Sequence, residues 1–591
     1  MKKINIRKIL EEKAPALLLK YPEFVVNLFI NVLTGFLKVN EINKFLEQNL
    51  EKFNFDFIDG LFQELDFSYI VSSKDRIKIP SEGRLIIVSN HPLGGLDGLA
   101  LLKSVSEVRN DVVVVANDIL KNIDNLNDLF LSMDVYSTSK HKEHIKDIEK
   151  ALNDEKAVIF FPSGKVSRLR MNGINDAKWQ NGAIKFSSKL NVPILPAFIK
   201  GRNSLLFYLA SLINSRIGMF MLPQELFRQK GRSIEIKFGD VIPAGSFKNN
   251  NLKPKIQSKL LQQHCQKIGK DKPGIFYTEK TIIHPINKKI LKSELNVSIL
   301  LGYTNDGMKI YLAEYETGPN IIKEIGRLRE LTFRKVGEGT GKTIDMDIYD
   351  LYYKHIVLWD DKELEIVGSY RLGIVSEIIE NYGPKGLYNS SQYKLSSTFV
   401  DKIKNSLEVG RSFIQQKYWK SSALDYIWQG IGAYLSKNDK IEYLWGAVSI
   451  SDTYPEIAKN LIISYYTKWY KGDFELVTPC LAFSQSSKLQ NEVKEILCAD
   501  NYIDDFKNLK NALKNMGLSV PVLYRRYTEL AEYGGAKFIS WCIDVNFNNA
   551  IDGLIVVDLS MLKEEVKERY YRQKSFVGNQ QIHNREQVSI N

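Results

Sequence analysis

Short apolar runs recur along the first half of the chain, each closed by polar or turn-forming residues. They read RLIIVSN (84–90), DVVVVAN (111–117), KAVIFFPSG (156–164) and NVPILPAFI (191–199), and the segments between them carry apolar residues at helical spacing. Runs that are apolar at every position fit strands covered on both faces, so this rhythm predicts an α/β sheet. SIEIKFGDVI (233–242) adds a strand, and NLKPKIQSKLLQQHCQKIGK (251–270) a closing helix. A second α/β pattern follows. NIIKEIGRLRELTFRKVGEG (320–339) reads as a helix ending in glycines. KELEIVGSYRLGI (362–374) and STFVDKI (397–403) read as strands or strand flanks, and SLEVGRSFI (406–414) and KIEYLWGAVSI (440–450) as strands. SSALDYIWQGIGAYLSKN (421–438) reads as a helix. The fold class expected is α/β in two domains, at 76–280 and 294–565. A helical, membrane-associating region (1–75) precedes them, a charged Pro-containing linker (281–293) joins them, and a polar tail (566–591) follows.

Two uncharged stretches stand apart, FVVNLFINVLTGFL (24–37) and NSLLFYLASLINS (203–215). Both fall short of the roughly 20 residues needed to cross a bilayer. Helical spacing and flanking lysines suit the first to lying in a membrane interface, a buried core helix being the alternative. Of the 591 residues, 81 are Lys or Arg and 69 Asp or Glu, a net charge of +12 that favours anionic partners such as lipid head groups or acidic carrier proteins. No helix-turn-helix, zinc-finger or RNA-binding signature accompanies that charge, so nucleic acid is not expected. Four scattered cysteines form no C-x-x-C pair, which points to a reducing compartment without a disulfide framework or metal centre. Acidic residues interrupt the basic N-terminus, and no small-residue cleavage site follows, so export is not expected.

Candidate chemistry begins at IVSNHPLGGLDGLALL (87–102). His91 leaves the carboxyl end of a strand, Pro92, Gly94 and Gly95 turn the chain into a helix, and Asp97 lies near that helix's start. A carboxylate on one imidazole nitrogen makes the other a better base, which suits removing a proton from an alcohol that attacks an acyl group. FPSGKVSRLR (161–170), DAKWQNGAIKFS (176–187) and NVPILPAF (191–198) follow. In order and spacing, from about 80 to 245, these blocks resemble the glycerolipid acyltransferase family. The resemblance implies His91 as base, Asp97 as its orienting partner, and the loop from Phe161 through Pro162, Ser163, Gly164 and Lys165 as part of the acceptor site. Lys165 and Arg168 would face an anionic head group or the donor's phosphate, and backbone N–H groups at Gly94 and Gly95 an oxyanion. Two features depart from the common pattern. One additional residue separates His91 from Asp97, as in the NHPxGGLDG branch, and Ser163 replaces the acidic residue of the F-P-x-G block, which argues against a glycerol-phosphate acceptor.

In the second half RLRELTFRKVGEGTGKTIDMDIYDLYYKHIVLWD (327–360), ELEIVGSYRLG (363–373), SLEVGRSFIQQKYW (406–419), LWGAVSIS (444–451) and PVLYRRYTELAEYGGAKF (521–538) resemble GNAT-like N-acyltransferases that make lyso-ornithine lipid. That resemblance implies an active centre at Glu408 and Arg411, with Arg334, Asp345 and Asp347 toward the substrate. From chemistry alone, Glu408 can hold or deprotonate an ammonium, Glu408 and Arg411 can equally form a structural ion pair, and Asp345, Asp347 and Asp350 are amine-attracting acids or a helix start. His355 reads as a packed residue. The turn QQKYWKSSALD (415–425) lacks the glycines that bind a nucleotide pyrophosphate, so acyl carrier protein is the expected donor. Together the resemblances imply a bifunctional ornithine lipid synthase with no cofactor. It would N-acylate an amino acid, ornithine or glycine, with a 3-hydroxyacyl group, then esterify the hydroxyl of the lyso-aminolipid at the cytoplasmic face of the inner membrane. The rival readings are a lysophospholipid acyltransferase with an accessory GNAT-like domain and a non-catalytic, haemolysin-like membrane protein.

Overall fold

The computed structural model describes residues 5–13, 21–116, 123–132, 141–170, 173–248, 252–485 and 487–571. The chain divides into two compact units, Met1–Thr281 and Ile282–Asn591. The distal part of the expected polar tail, residues 572–591, lies outside the described residues.

In the first unit the apolar runs become strands β1 (Ser68–Ile70), β2 (Leu85–Val88), β3 (Val112–Ala116), β4 (Phe130–Ser132) and β5 (Ala157–Phe160). The small hairpin β6 (Arg168–Arg170) and β7 (Gly173–Asn175) follows, then β8 (Ile194–Lys200) and β9 (Ser233–Phe238). Seven of them form one sheet in the order β1-β9-β8-β2-β5-β3-β4. All its pairs are parallel except β8 with β9. β2 and β5 sit in the middle, and both are apolar throughout because both faces are covered. Leu85 and Ile87 face a core with the Gly95–Ser106 helix, while Ile86 and Val88 face a second core with Ile184 and Phe186. The register pairs Val88 with Phe160, so the loops leaving these two strands emerge side by side at the carboxyl edge.

The 24–37 stretch is a helix, Glu23–Phe36, whose only fully buried residue is Val26; Phe24, Leu28 and Val32 face solvent. A core helix is thereby excluded within this unit. The 203–215 stretch begins a helical hairpin, Leu205–Ile213 followed by Ser215–Arg228, with Leu205, Leu206, Leu212, Ile213 and Phe220 exposed. Among the described residues no single helix is long and apolar enough to cross a membrane.

The second unit holds β10 (Ile299–Tyr303), β11 (Lys309–Ala313), β12 (Lys354–Asp360), β13 (Glu365–Ile374), β14 (Tyr393–Leu395), β15 (Ser406–Ile414), β16 (Tyr443–Ile450), β17 (Val477–Pro479), β18 (Ala536–Asp544) and β19 (Ala550–Asp558). β14 pairs with β17, and the others form a sheet ordered β10-β11-β12-β13-β15-β16-β19-β18. Only β15 and β16 are parallel. Their ladder stops at Glu408–Trp445, beyond which β15 continues against β13 and β16 against β19. The strands therefore part at mid-sheet. Gly446 sits at the parting, where a Cβ would stand 2.0 Å from the Val409 carbonyl oxygen, so no side chain fits. The Pro319–Val336 helix packs on one face with Val357, Trp359 and Phe413, and the Ala423–Leu435 helix on the other with Ile356, Leu358 and Leu372.

Three sequence expectations change. STFVDKI is helical over Ser397–Lys402, because the Ser396 hydroxyl accepts the Phe399 N–H and caps the turn. The stretch read as linker enters a helix at Lys288, whose Leu291 and Leu295 are buried. Residues 564–570, at the start of the expected tail, also form a helix.

Candidate active site

In the first unit the sheet edge assembles the predicted residues. His91 Nδ1 stands 3.2 Å from Asp97 Oδ1, at an angle outside the hydrogen-bond range. The fully buried Asp97 also accepts the Leu93 N–H on Oδ2 and the Gly98 N–H on Oδ1, both at 2.8 Å, so one carboxylate fixes the turn and faces the ring. Gly94 has φ +99, which only glycine adopts cheaply. Phe161, first residue of the neighbouring loop, lies against the imidazole with ring centroids 4.4 Å apart. Burial opposes the imidazolium, but the Asp97 charge, and behind it Asp176, outweigh this and raise the His91 pKa above its ordinary value.

Asp176 was not singled out from the sequence, although it opens a block that was. Its carboxylate accepts the His91 N–H at 3.2 Å, the Ser167 hydroxyl, and the Trp179 indole N–H at 2.9 Å. The Ser167 N–H in turn donates to the His91 carbonyl at 2.7 Å. Asn90 bonds both backbone groups of Ile199, tying the strand end to β8. Ser163, where the family commonly has an acid, is buried and donates to the Lys165 carbonyl at 2.8 Å, so it shapes the loop.

These residues open onto a cavity of about 1640 Å³. His91, Gly94, Gly95, Phe161, Pro162, Ser163, Gly164, Lys165 and Arg168 all line it, so the structure brings every predicted residue of this unit except the underlying Asp97 to this cavity. The remaining walls are mainly apolar, with Phe45, Leu96, Leu126 and Phe130 on one side and Met219, Leu222 and Leu226 of the helical hairpin on another. Such a space suits an acyl chain, with the His91 imidazole and the cations Lys165 and Arg168 among its lining.

In the second unit, Glu408 and Arg411 lie on β15 but do not pair with each other. The buried Glu408 accepts the Tyr353 hydroxyl, the Tyr388 N–H at 3.1 Å, and the Asn389 N–H and side-chain amide, both at 2.7 Å. Burial raises its pKa against those donors. Its oxygens are thus engaged by the protein, and they clamp the 388–389 turn, whereas residue chemistry alone offers Glu408 as a group that can hold or deprotonate an ammonium. Arg411, at φ +52 in a bulge of β15, binds Asp345 at 3.2 Å and the Tyr388 hydroxyl at 3.0 Å. Tyr388 therefore links the two predicted residues.

Asp347 caps the short Ile348–Leu351 helix in a capping box with Asp350 and binds Arg371 at 2.7 Å, so it is both a helix start and an ion-pair partner. Asp350 takes a two-pronged bond from Arg329. Burial opposes its charge, yet Arg329 and then Arg371 hold it well below the usual carboxylate range. Arg334 is not part of this group. Its guanidinium binds Glu330 at 2.7 Å and the Lys342 carbonyl at 2.6 Å, securing the turn after the helix. His355 is fully buried and held neutral by burial, its pKa lowered to about 3, in keeping with a packed role. Arg329 and Arg371 escaped the sequence reading because their partners lie 16 to 24 positions away.

The model of the family described as "Acyltransferase" matches residues 8–254, and that of the "Acetyltransferase (GNAT) domain" residues 328–429. A glycine N(alpha)-acyltransferase of Phocaeicola vulgatus is 30% identical over 50% of this chain and 93% of its own length. A lyso-glycine lipid O-acyltransferase of Bacteroides thetaiotaomicron is 32% identical over 41% of this chain and 90% of its own length. The chain belongs to the acyltransferases. It is an enzyme with an acyltransferase domain followed by a GNAT domain. An L-ornithine N(alpha)-acyltransferase of Agrobacterium fabrum is 25% identical over 40% of this acyltransferase and 74% of its own length.

Proposed function

We propose that this acyltransferase carries out two successive steps of aminolipid synthesis. The GNAT domain transfers a 3-hydroxyacyl group from acyl carrier protein to the α-amine of an amino acid, and the first domain esterifies the new lipid's hydroxyl. One observation carries the reading: the two halves are similar to an N-acyltransferase and to a lyso-lipid O-acyltransferase whose names concern the same amino acid, glycine. Glycine is thus preferred to ornithine, whose N-acyltransferase is less similar.

In the O-acyl step His91 Nε2 takes the proton of the lipid hydroxyl as its oxygen attacks the thioester carbonyl. Asp97 steadies the imidazolium, and the apolar cavity holds an acyl chain. The C–O bond forms, the C–S bond breaks, and His91 returns the proton to the thiolate. Ser163 in place of an acid and the cations Lys165 and Arg168 fit an anionic, non-glycerol acceptor. For the N-acyl step, the glycine-free turn after β15 supports a carrier-protein donor over a nucleotide thioester.

The acceptor's route favours a peripheral seat on the cytoplasmic membrane surface. The hairpin that exposes Leu205, Leu206, Leu212 and Ile213 also lines the cavity through Phe207, Gly218 and Leu222, so its apolar surface leads from lipid toward His91. Expression of the chain in a host without aminolipids, followed by lipid extraction and mass spectrometry, tests the whole reading. Mono- and diacyl aminolipids are expected. Remodelled phospholipids alone would favour the lysophospholipid acyltransferase reading instead.

A further inference from the structure

Where β15 and β16 part, the second unit holds a buried group of acceptors that the ion-pair network leaves unbalanced. Asp552 on β19 lies opposite Ser449 of β16 and Cys542 of β18, and Asp544 is two residues further along β18, so these side chains share one face. Glu338, just past the Pro319–Val336 helix, accepts the Ser449 hydroxyl at 3.1 Å and so joins them. Asp544 accepts the Gln392 amide on Oδ2 and the Asn546 N–H on Oδ1 at 2.8 Å. All three acids are buried, and the cation acting on each of them is Arg411, itself already bound to Asp345.

Two further polar atoms point to what is missing. The Gln392 side-chain oxygen, in a residue 92% buried, has no donor among the described residues, and Arg411 Nε has no acceptor. An unmet acceptor among three carboxyls, beside an unmet guanidinium N–H, complements a small zwitterion that brings an ammonium and a carboxylate together. The carboxyls lack the arrangement of a metal site.

We propose that Glu338, Asp544 and Asp552 hold the α-ammonium of the amino-acid substrate, with its carboxylate toward Arg411, and that Glu338 takes the ammonium's proton. This rests on the N-acyltransferase reading of the second unit and gives the role of base to Glu338, Glu408 being committed to its turn. Glu338 is 9% exposed against 4% for Asp544 and 5% for Asp552, so it is the best placed of the three to pass a proton to water. The ammonium gives one proton to Glu338, and the free amine attacks the carbonyl carbon of the acyl thioester. The C–N bond forms, the C–S bond breaks, and the departing thiolate takes the second proton from nitrogen. Glu338 then releases its proton to solvent.

Burial lifts the Glu338 pKa to about 7, against the Ser449 hydrogen bond and the Arg411 charge. Burial also raises Asp544 and Asp552, each with a neighbouring acid adding to it. Other titratable groups facing the cluster are Tyr454 and Tyr524, which feel Glu338, Tyr393 and Cys542, which feel Asp552, and Tyr388, which feels Asp544 and Asp552; Asp345 acts on Asp544. Those four tyrosines and Cys542 are neutral at pH 7, which leaves Glu338 as the group placed to titrate near it.

The test is steady-state N-acylation by the full chain, with glycine and a 3-hydroxyacyl carrier-protein thioester, from pH 6 to 9. For the wild type, kcat should rise with pH through an inflection near 7. Glu338→Gln should lower kcat about 10²-fold to 10⁴-fold and abolish the inflection. Asp552→Asn should raise KM for glycine more than about tenfold, and Ser449→Ala should move the inflection to higher pH, because it removes the bond that stabilises the carboxylate. Ser449→Ala also keeps the test valid should Glu338→Gln fail to fold. An active wild type with an unmoved Ser449→Ala profile, or a folded Glu338→Gln chain with normal kcat, overturns this proposal alone. A wild type that N-acylates no amino acid overturns the N-acyltransferase reading as well.

Discussion

Replacing Asp97 by Asn probes the first site without changing its shape. The carboxylate accepts two backbone N–H groups at 2.8 Å and lies 3.2 Å from His91 Nδ1, whereas an amide has only one accepting atom. If its oxygen keeps the Gly98 bond, the Leu93 N–H faces an NH₂ group. If it keeps the Leu93 bond, that NH₂ faces the Gly98 N–H and His91 Nδ1. One charge-assisted bond is lost either way, a cost of roughly 1.5–3 kcal/mol that should appear as a lower melting temperature of the first unit. The catalytic effect is larger. An imidazole left without its carboxylate loses its orienting charge, and a positioned base is worth about 10²-fold to 10⁴-fold, so plateau O-acylation should fall within that range. The pH profile supplies the discriminating sign. A general base works as the neutral imidazole, so the wild-type rate should rise through a pKa above the ordinary histidine value, because Asp97 outweighs burial. In Asp97→Asn burial is opposed by Asp176 alone, and the rising limb should move to lower pH even as the plateau drops. Lyso-aminolipid esterification followed across pH 5.5–9 is the assay. A limb that stays in place, or a plateau within twofold of wild type in a folded protein, would refute the assignment of His91 and Asp97.

His91→Ala should block esterification while leaving N-acylation intact, so cells accumulate mono-acylated lipid and lack the diacyl form; lipid extracts show which. Glu408→Ala leaves three buried donors without an acceptor, the Tyr353 hydroxyl and both Asn389 groups, the Tyr388 N–H keeping the Tyr353 oxygen, and each unmet donor costs about 1–3 kcal/mol. The second unit should therefore melt early, with N-acylation lost in proportion to folded protein and added lyso-lipid still esterified, as calorimetry and both assays together would record. Changing Leu205, Leu209 and Ile213 to Ser together should cut co-sedimentation with anionic vesicles while soluble-substrate turnover persists, because these exposed residues lie one helical turn apart on the cavity-lining hairpin.

The first site was legible because its chemistry is local. His91 and Asp97 lie within one turn between a strand and a helix, and the Phe161 loop follows a strand whose apolar run marks it as a neighbour in a parallel sheet. Asp176 was harder to see, since its work is done on the His91 backbone, which no residue pattern displays. The helix over Ser397–Lys402 was misread because its two apolar residues are too few to show a period, and the cap at Ser396 decides the matter.

The second site shows where such reading stops. The family resemblance pointed to Glu408 and Arg411 on one strand, and from a strand alone an acid and a base three residues apart can also be read as a structural pair. The sheet separates them. A bulge turns Arg411 toward Asp345 and Tyr388, while Glu408 closes on the 388–389 turn, so the acid that looked reactive is the one whose lone pairs are used. The acids that have no cation of their own, Glu338, Asp544 and Asp552, stand up to 214 positions apart and meet through the registers of β16, β18 and β19. No local pattern marks any of them. Buried charge is tolerated only where something balances it, and that balance becomes visible only once every donor and acceptor has been assigned its partner. At the parting of β15 and β16 the unmet Gln392 oxygen lies among three buried carboxyls that share one cation, Arg411, and that is where an amine is needed.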